Sequence, residues 1–207
     1  MIHAMLLSHH FSGMTEAGCD EAGRGCLAGA VFAAAVILPD DYHNERLNDS
    51  KQLSHRQRMA LREEVQRDAV AWSVASVSNV EIDQINILRA SILAMHRALD
   101  QLQVRPEAVI VDGNRFLPYK DLPFATIVKG DGKYLAIAAA SILAKTYRDE
   151  EMLRLHALYP QYGWEKNKGY PTAEHRRAIK EYGPTPFHRM TFQLLPVKEP
   201  MLPFGDI

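Results

Sequence analysis

Hydrophobic positions along the chain follow two different periods. The run AGAVFAAAVIL (28–38) is apolar throughout and closes at Pro39, which predicts a strand buried on both faces. AVAWSVASVS (69–78) alternates roughly and predicts a second strand. AVIVDGN (108–114) is a short strand pattern ending in an acid and a glycine, and FATIVKGDG (124–132) is another that runs into a loop. Helical spacing lies between and after these runs. Ser54 is a plausible N-cap for HRQRMALREEVQR (55–67). INILRASILAMHRALDQL (85–102) sets Ile85, Leu88, Ile92, Met95 and Leu99 on one face, an amphipathic helix. KYLAIAAASILAKTYRDEEMLRLHALY (133–159) predicts a long helix whose alanine-rich middle permits close, central packing. NKGYPT (167–172) reads as a loop, and AEHRRAIKEYG (173–183) as a short helix stopped by Gly183 and Pro184. Strands and helices alternate after an opening pair of strands, so the pattern predicts a single mixed α/β sheet with flanking helices.

Composition narrows this picture modestly. The chain has 207 residues, enough for one substantial core, with 47% hydrophobic and 24% charged residues. Its formal net charge of −1 still allows a local basic face, and hence a nucleic-acid partner. Cys19 and Cys26 suggest neither a disulfide framework nor a zinc site, which points to a reducing cytoplasm. MIHAMLLSHH lacks the pattern of a signal peptide, and no apolar run reaches the roughly 20 residues of a membrane helix. The first dozen residues read as a loose tail. The end, 194–207, carries Pro196, Pro200 and Pro203 and reads as irregular.

The candidate chemistry begins at CDEAGRGCLAG (19–29), where two adjacent acids precede a Gly-Arg-Gly loop. Asp20 and Glu21 are placed where a strand meets that loop, Asp112 ends the apolar strand VIVD, and Asp149 follows the alanine-rich helix. Strand ends and the loops beyond them are where open α/β sheets bind ligands. Asp149 is followed by Glu150 and Glu151, a charge run that also suits a solvated face. Gathered carboxylates raise one another's pKa unless a cation neutralises them, and Mg²⁺ does so while keeping sites for water and phosphate oxygens. Between 115 and 180 twelve Lys and Arg residues stand against seven Asp and Glu, a bias suited to phosphate. Lys129, Lys133, Lys145, Lys166 and Lys168 are candidates there, with Arg24 and the Lys51 of a DSK turn upstream. Tyr170, between Gly169 and Pro171, could stack on a base or sugar, or equally pack its own loop. GRGCLA loosely fits a dinucleotide fingerprint, but it opens a strand where the fingerprint opens a helix.

In order and spacing these segments resemble the ribonuclease HII family, the type 2 ribonucleases H. The resemblance runs from about residue 16 to 193, through DEAGRG (20–25), NDSKQL (48–53), INILRAS (85–91), VDGN (111–114), KGDGK (129–133), AAASILAKTYRD (138–149), KGYPT (168–172) and HRMTF (188–192). It implies an RNase H-like mixed β-sheet flanked by helices, with a helical C-terminal part. The implied layout is a flexible tail (1–14), a single catalytic domain (15–193) and a proline-containing tail (194–207).

The implied activity is Mg²⁺- or Mn²⁺-dependent hydrolysis of the RNA strand of RNA–DNA hybrids, and cleavage 5′ to single ribonucleotides embedded in duplex DNA. Such an enzyme would act as a cytoplasmic monomer in DNA replication and repair. The metal-binding and catalytic acids would be Asp20, Glu21, Asp112 and Asp149. Gly23, Arg24 and Gly25 would read the ribose 2′-hydroxyl, Tyr170 would sense the junction, and Lys51 would contact phosphate. Ribonuclease HIII shares the fold but usually carries an extra N-terminal domain and replaces the aspartate–glutamate pair. Two positions depart from the family pattern: Ala30, where proline is frequent, and Tyr134, where a small hydroxyl residue is common. FQLLPV (192–197) loosely suggests a sliding-clamp peptide. The readings from other classes are a metal-independent hybrid-binding protein and a nucleotide-cofactor enzyme.

Overall fold

The computed structural model describes residues 6–47 and 53–196. Lys51, with the rest of its DSK turn, and the tail from 197 onwards lie outside the described residues. Five strands form one sheet: β1 (Glu16–Ala22), β2 (Val31–Ile37), β3 (Ala71–Val77), β4 (Ala108–Asp112) and β5 (Phe124–Ile127). Their order is β3-β2-β1-β4-β5. The first three pair antiparallel, while β4 lies parallel to both β1 and β5.

β2 is an interior strand and almost wholly buried, as its unbroken apolar run predicts. β3 is buried at alternate positions and closes one edge. One face of the sheet carries α3 (Ile87–Gln101), whose Ala90, Ala94, Met95, Ala98 and Leu99 pack with Ala17, Cys19, Ala33 and Val109. The other face carries α4 (Leu135–Leu158) and α1 (His55–Asp68). Alanines at 136, 138, 139, 140 and 144 let α4 lie very close to β1 and β2. The contact is closest at Gly18, where a Cβ would be driven into the backbone of Ala136.

Local capping sets several boundaries. Ser54 opens α1 with a full capping box closed by Gln57. The helix expected over 85–102 is instead two: α2 (Asn79–Ile85) and α3, separated at Asn86, which has φ 66°. Asparagine tolerates that left-handed region, and its side chain accepts the Arg89 amide at 3.1 Å. Ile85 therefore belongs to a different helix from Ile92, and Leu88 is turned outward. Ser78 and Glu81 form the capping box that starts α2, a signal present in the sequence as S-N-V-E.

The C-terminal part is helical: α5 (Trp164–Asn167) and α6 (Ala173–Tyr182) build a small aromatic core with Leu27, Met152 and Leu155. The expectation of a loose N-terminal tail does not hold for residues 7–11. Leu7 exchanges backbone hydrogen bonds with Lys133 (2.8 Å) and Leu135 (2.9 Å), and the buried Glu16 carboxylate accepts the His10 and Phe11 amides. Tyr134 completes this dock, its hydroxyl lying 3.0 Å from His10 Nδ1.

Candidate active site

Strand register brings the first acids together. In the parallel β1–β4 pairing Cys19 lies opposite Val111, and Asp20 and Asp112 are each the next residue. Asp20 is buried; Ser141 of α4 and the Glu21 amide (2.7 Å) both bond its carboxylate. Burial raises its pKa well above the usual carboxylate range, and the charges of Glu21 and Asp112 raise it further. Glu21 is raised too, chiefly by burial, while Arg24 pulls it back through a 3.2 Å contact. Asp112 accepts the amide of Gly130 at 2.7 Å, so the KGDGK loop holds this acid at its strand end.

Asp149 is buried on α4, and Lys145, one turn earlier, pairs with it at 2.8 Å. Its charge acts on Lys168 and Tyr170. Thus Asp20, Glu21 and Asp112 form one electrostatic group, and Asp149 stands with Lys145, Lys168 and Tyr170. Among the described residues no three His, Cys, Asp or Glu side chains stand as a ready-made metal cage. The donor chemistry nonetheless suits a hard divalent cation: oxygen ligands only, two of them held above their ordinary pKa by burial and by neighbouring carboxylates.

The Gly-Arg-Gly loop follows β1 directly and leads into β2, so no helix opens on it and the dinucleotide reading fails. Its two glycines differ. Gly23 has φ +100°, and a Cβ there would collide with the buried Arg148 side chain. At Gly25 a Cβ would meet nothing, so its bareness is free to serve something outside the protein. Arg24 and Gly25 are exposed.

Tyr170 is half-exposed and lies beside the same loop. Its hydroxyl bonds Cys26, and Lys145 and Arg148 each lie 5.8 Å from its ring. Asn167 shapes the turn beneath, its Oδ1 accepting the Gly169 amide at 2.8 Å. Behind the loop is a buried relay. His175 Nδ1 donates to the Tyr170 carbonyl (2.9 Å), and its Nε2 accepts from Trp164 (2.9 Å) and from His188 Nε2 (3.2 Å). His188 Nδ1 in turn accepts the Thr185 amide at 2.8 Å. Among the basic candidates, Lys129, Lys133 and Lys166 are exposed on other loops and helices.

Sequence reasoning does not single out Arg148, Arg189, Gly130, Ser141 or His175 as site-building residues, although all but His175 lie in motifs that carry the family resemblance. Among the described residues no helix is long and apolar enough to cross a membrane.

Comparison with known proteins agrees with this architecture. The family model for ribonuclease HII matches residues 17–195. A ribonuclease HII of Bacteroides thetaiotaomicron is 67% identical over 92% of this chain and 96% of its own. Among solved structures, the ribonuclease HII of Archaeoglobus fulgidus, determined in complex with PCNA, superposes with a TM-score of 0.74 at 28% identity, covering 89% of this chain and 98% of that one. Ribonuclease H2 of Pyrococcus horikoshii gives 0.73 at 27% identity, over 86% and 94%. The chain belongs to the ribonuclease HII family and is a nuclease.

Proposed function

We propose that the chain hydrolyses the RNA strand of RNA–DNA hybrids and cuts on the 5′ side of single ribonucleotides embedded in duplex DNA. The observation that carries this reading is the meeting of Asp20, Glu21 and Asp112 at the ends of β1 and β4 beside the bare, exposed backbone of Gly25. A binding protein gains nothing from carboxylates placed against phosphate, whereas a hydrolase that binds divalent ions needs them.

Asp20, Glu21, Asp112 and Asp149 would hold Mg²⁺ or Mn²⁺, Asp149 exchanging its Lys145 partner for an ion. Two ions held there would supply the positive charge that polarises a water and stabilises the leaving 3′ oxygen, and the ends expected are 5′-phosphate and 3′-hydroxyl. The rest falls to the chain. Gly25 lets the ribose approach, and the 2′-hydroxyl, both donor and acceptor, distinguishes RNA from DNA at one nucleotide. Arg24 and Lys145 favour the phosphates, with Lys51 as a further contact from its own loop, and Tyr170 stacks at the ribose–deoxyribose junction. A sliding-clamp contact through the C-terminal tail is the proposed partner interaction, and monomeric action in the cytoplasm completes the reading.

The test is a duplex DNA carrying one ribonucleotide, incubated with Mg²⁺, Mn²⁺ or EDTA. Metal-dependent nicking with a 3′-hydroxyl product is expected. Tight binding in EDTA with no product under either metal would leave a hybrid-binding protein instead.

A further inference from the structure

Two arginines are buried directly beneath the Gly-Arg-Gly loop. Arg148 and Arg189 are 1% and 0% exposed, and among the described residues neither guanidinium forms an ion pair with a carboxylate. Burying an unpaired charge is expensive, so what each bonds is informative. Arg148 donates to the carbonyls of Ala28 (3.3 Å), Ala30 (3.3 Å) and Lys168 (2.9 Å). Arg189 donates to those of Arg24 (2.9 Å) and Gly29 (3.0 Å), and lies 5.1 Å from the Phe192 ring. Its Nη2 is buried and makes no hydrogen bond.

Four of these five carbonyls belong to residues 24–30, and the fifth precedes the turn that carries Tyr170. Three backbone bonds run alongside: Leu27 to Gly169 (2.7 Å), Gly29 to Phe187 (2.9 Å) and Arg189 to Leu27 (2.8 Å). Gly23 has no side chain because the Arg148 guanidinium fills that space. Arg148 also adjoins Asp149 in sequence, so one stretch of α4 holds both an acid of the site and the underside of the loop.

We propose that Arg148 and Arg189 form a positioning clamp that locks the Gly23–Gly25 loop to the Tyr170 turn and thereby sets discrimination for a single ribonucleotide. A forked guanidinium fixes two or three carbonyls at once, and a lysine in its place fixes one. A long hybrid offers many 2′-hydroxyls and tolerates a loosened loop; a lone ribonucleotide offers one. This inference rests on the nuclease reading above for its substrate, but the clamp itself has an independent readout.

The experiment compares Arg148→Lys and Arg189→Lys with the native chain. Both activities are expected to fall, with the ratio of kcat/KM for the single-ribonucleotide duplex over that for a long hybrid dropping at least about tenfold. By hydrogen exchange, the Leu27 and Gly29 amides should be strongly protected in the native chain and lose protection in the variants, while the β1 and β4 amides keep theirs. An unchanged ratio in folded variants overturns the role in discrimination. Rapid exchange at Leu27 and Gly29 in the native chain overturns the clamp even if neither variant folds. Lost protection in the variants, beside a native chain that cuts neither substrate, would keep the clamp and sink the substrate reading.

Discussion

At the ends of β1 and β4 like charges are crowded together, whereas behind Tyr170 the buried Trp164, His175, Thr185 and His188 meet complementary groups. Asp20, Glu21 and Asp112 repel each other in a setting that already penalises charge. Trp164, His175, Thr185 and His188 form a chain in which each donor has its acceptor, with both imidazoles neutral. The two clusters flank the same loop, but the first carries unspent electrostatic energy and the second gives rigidity. On the proposed reading, crowded charge is what a bound cation would neutralise, and a satisfied network is what would hold a recognition surface still.

Breaking the first cluster should have the largest effect. Asp20→Asn should lower cleavage of a single-ribonucleotide duplex by about 10²–10³-fold or more, the scale of losing one group that stabilises the transition state. Its melting temperature should nevertheless equal or exceed that of the native chain, because repulsion with Glu21 and Asp112 is relieved. A variant that melts earlier and still cuts would show that the acids are structural.

Breaking the second cluster should reverse the pattern. His188→Ala should lose about 2–4 kcal/mol of stability, since it leaves the Thr185 amide unpartnered and opens a cavity among aromatic rings. The two clusters also oppose each other in pH. Burial lowers His175 and takes His188 from 6.5 to about 4, so the unfolded chain binds protons that the folded chain refuses. Their contribution is complete above about 6.5 and falls as pH drops towards about 4, by up to about 3 kcal/mol for His188. Asp20 and Glu21 are raised instead, so their contribution to stability is greatest below the ordinary values of 3.8 and 4.5 and shrinks as pH rises through the folded pKa. Urea titrations from pH 4 to 8 should show acid destabilisation that is blunted in His188→Ala relative to its own neutral value. Equal slopes would remove the histidines from this account.

The smallest expected effect sharpens the boundary between the clusters. Tyr170→Ala should leave stability almost unchanged, since the ring is half-exposed, yet weaken cutting at single ribonucleotides about tenfold, the worth of one lost stacking contact. An equal loss on long hybrids would make Tyr170 a scaffold residue.

Much of the fold is legible in the chain's own patterning. Uninterrupted apolar runs mark β2 and β4, alternation marks β3, and alanines mark α4 as the helix that packs closest. Turn chemistry is harder to read. The positive φ of Asn86 splits a helix whose hydrophobic spacing looks continuous, and the S-N-V-E capping box is the one local sign that a separate helix starts earlier. The N-terminal dock is invisible to side-chain patterns because backbone pairing by Leu7 needs no particular side chain.

By itself the sequence determined which residue types are available and in what local order: the adjacent acids, the bare loop, the acid at the end of an apolar strand, and the class of fold that alternating periods require. These are properties of neighbours along the chain, set by side-chain spacing and backbone freedom. Only the tertiary structure decided which acids share one field, that Lys145 holds Asp149, and that Gly23 is bare for Arg148 while Gly25 is open to the outside. Register between β1 and β4, and two arginines reaching across 118–165 residues to one loop, depend on long-range packing that no local pattern encodes.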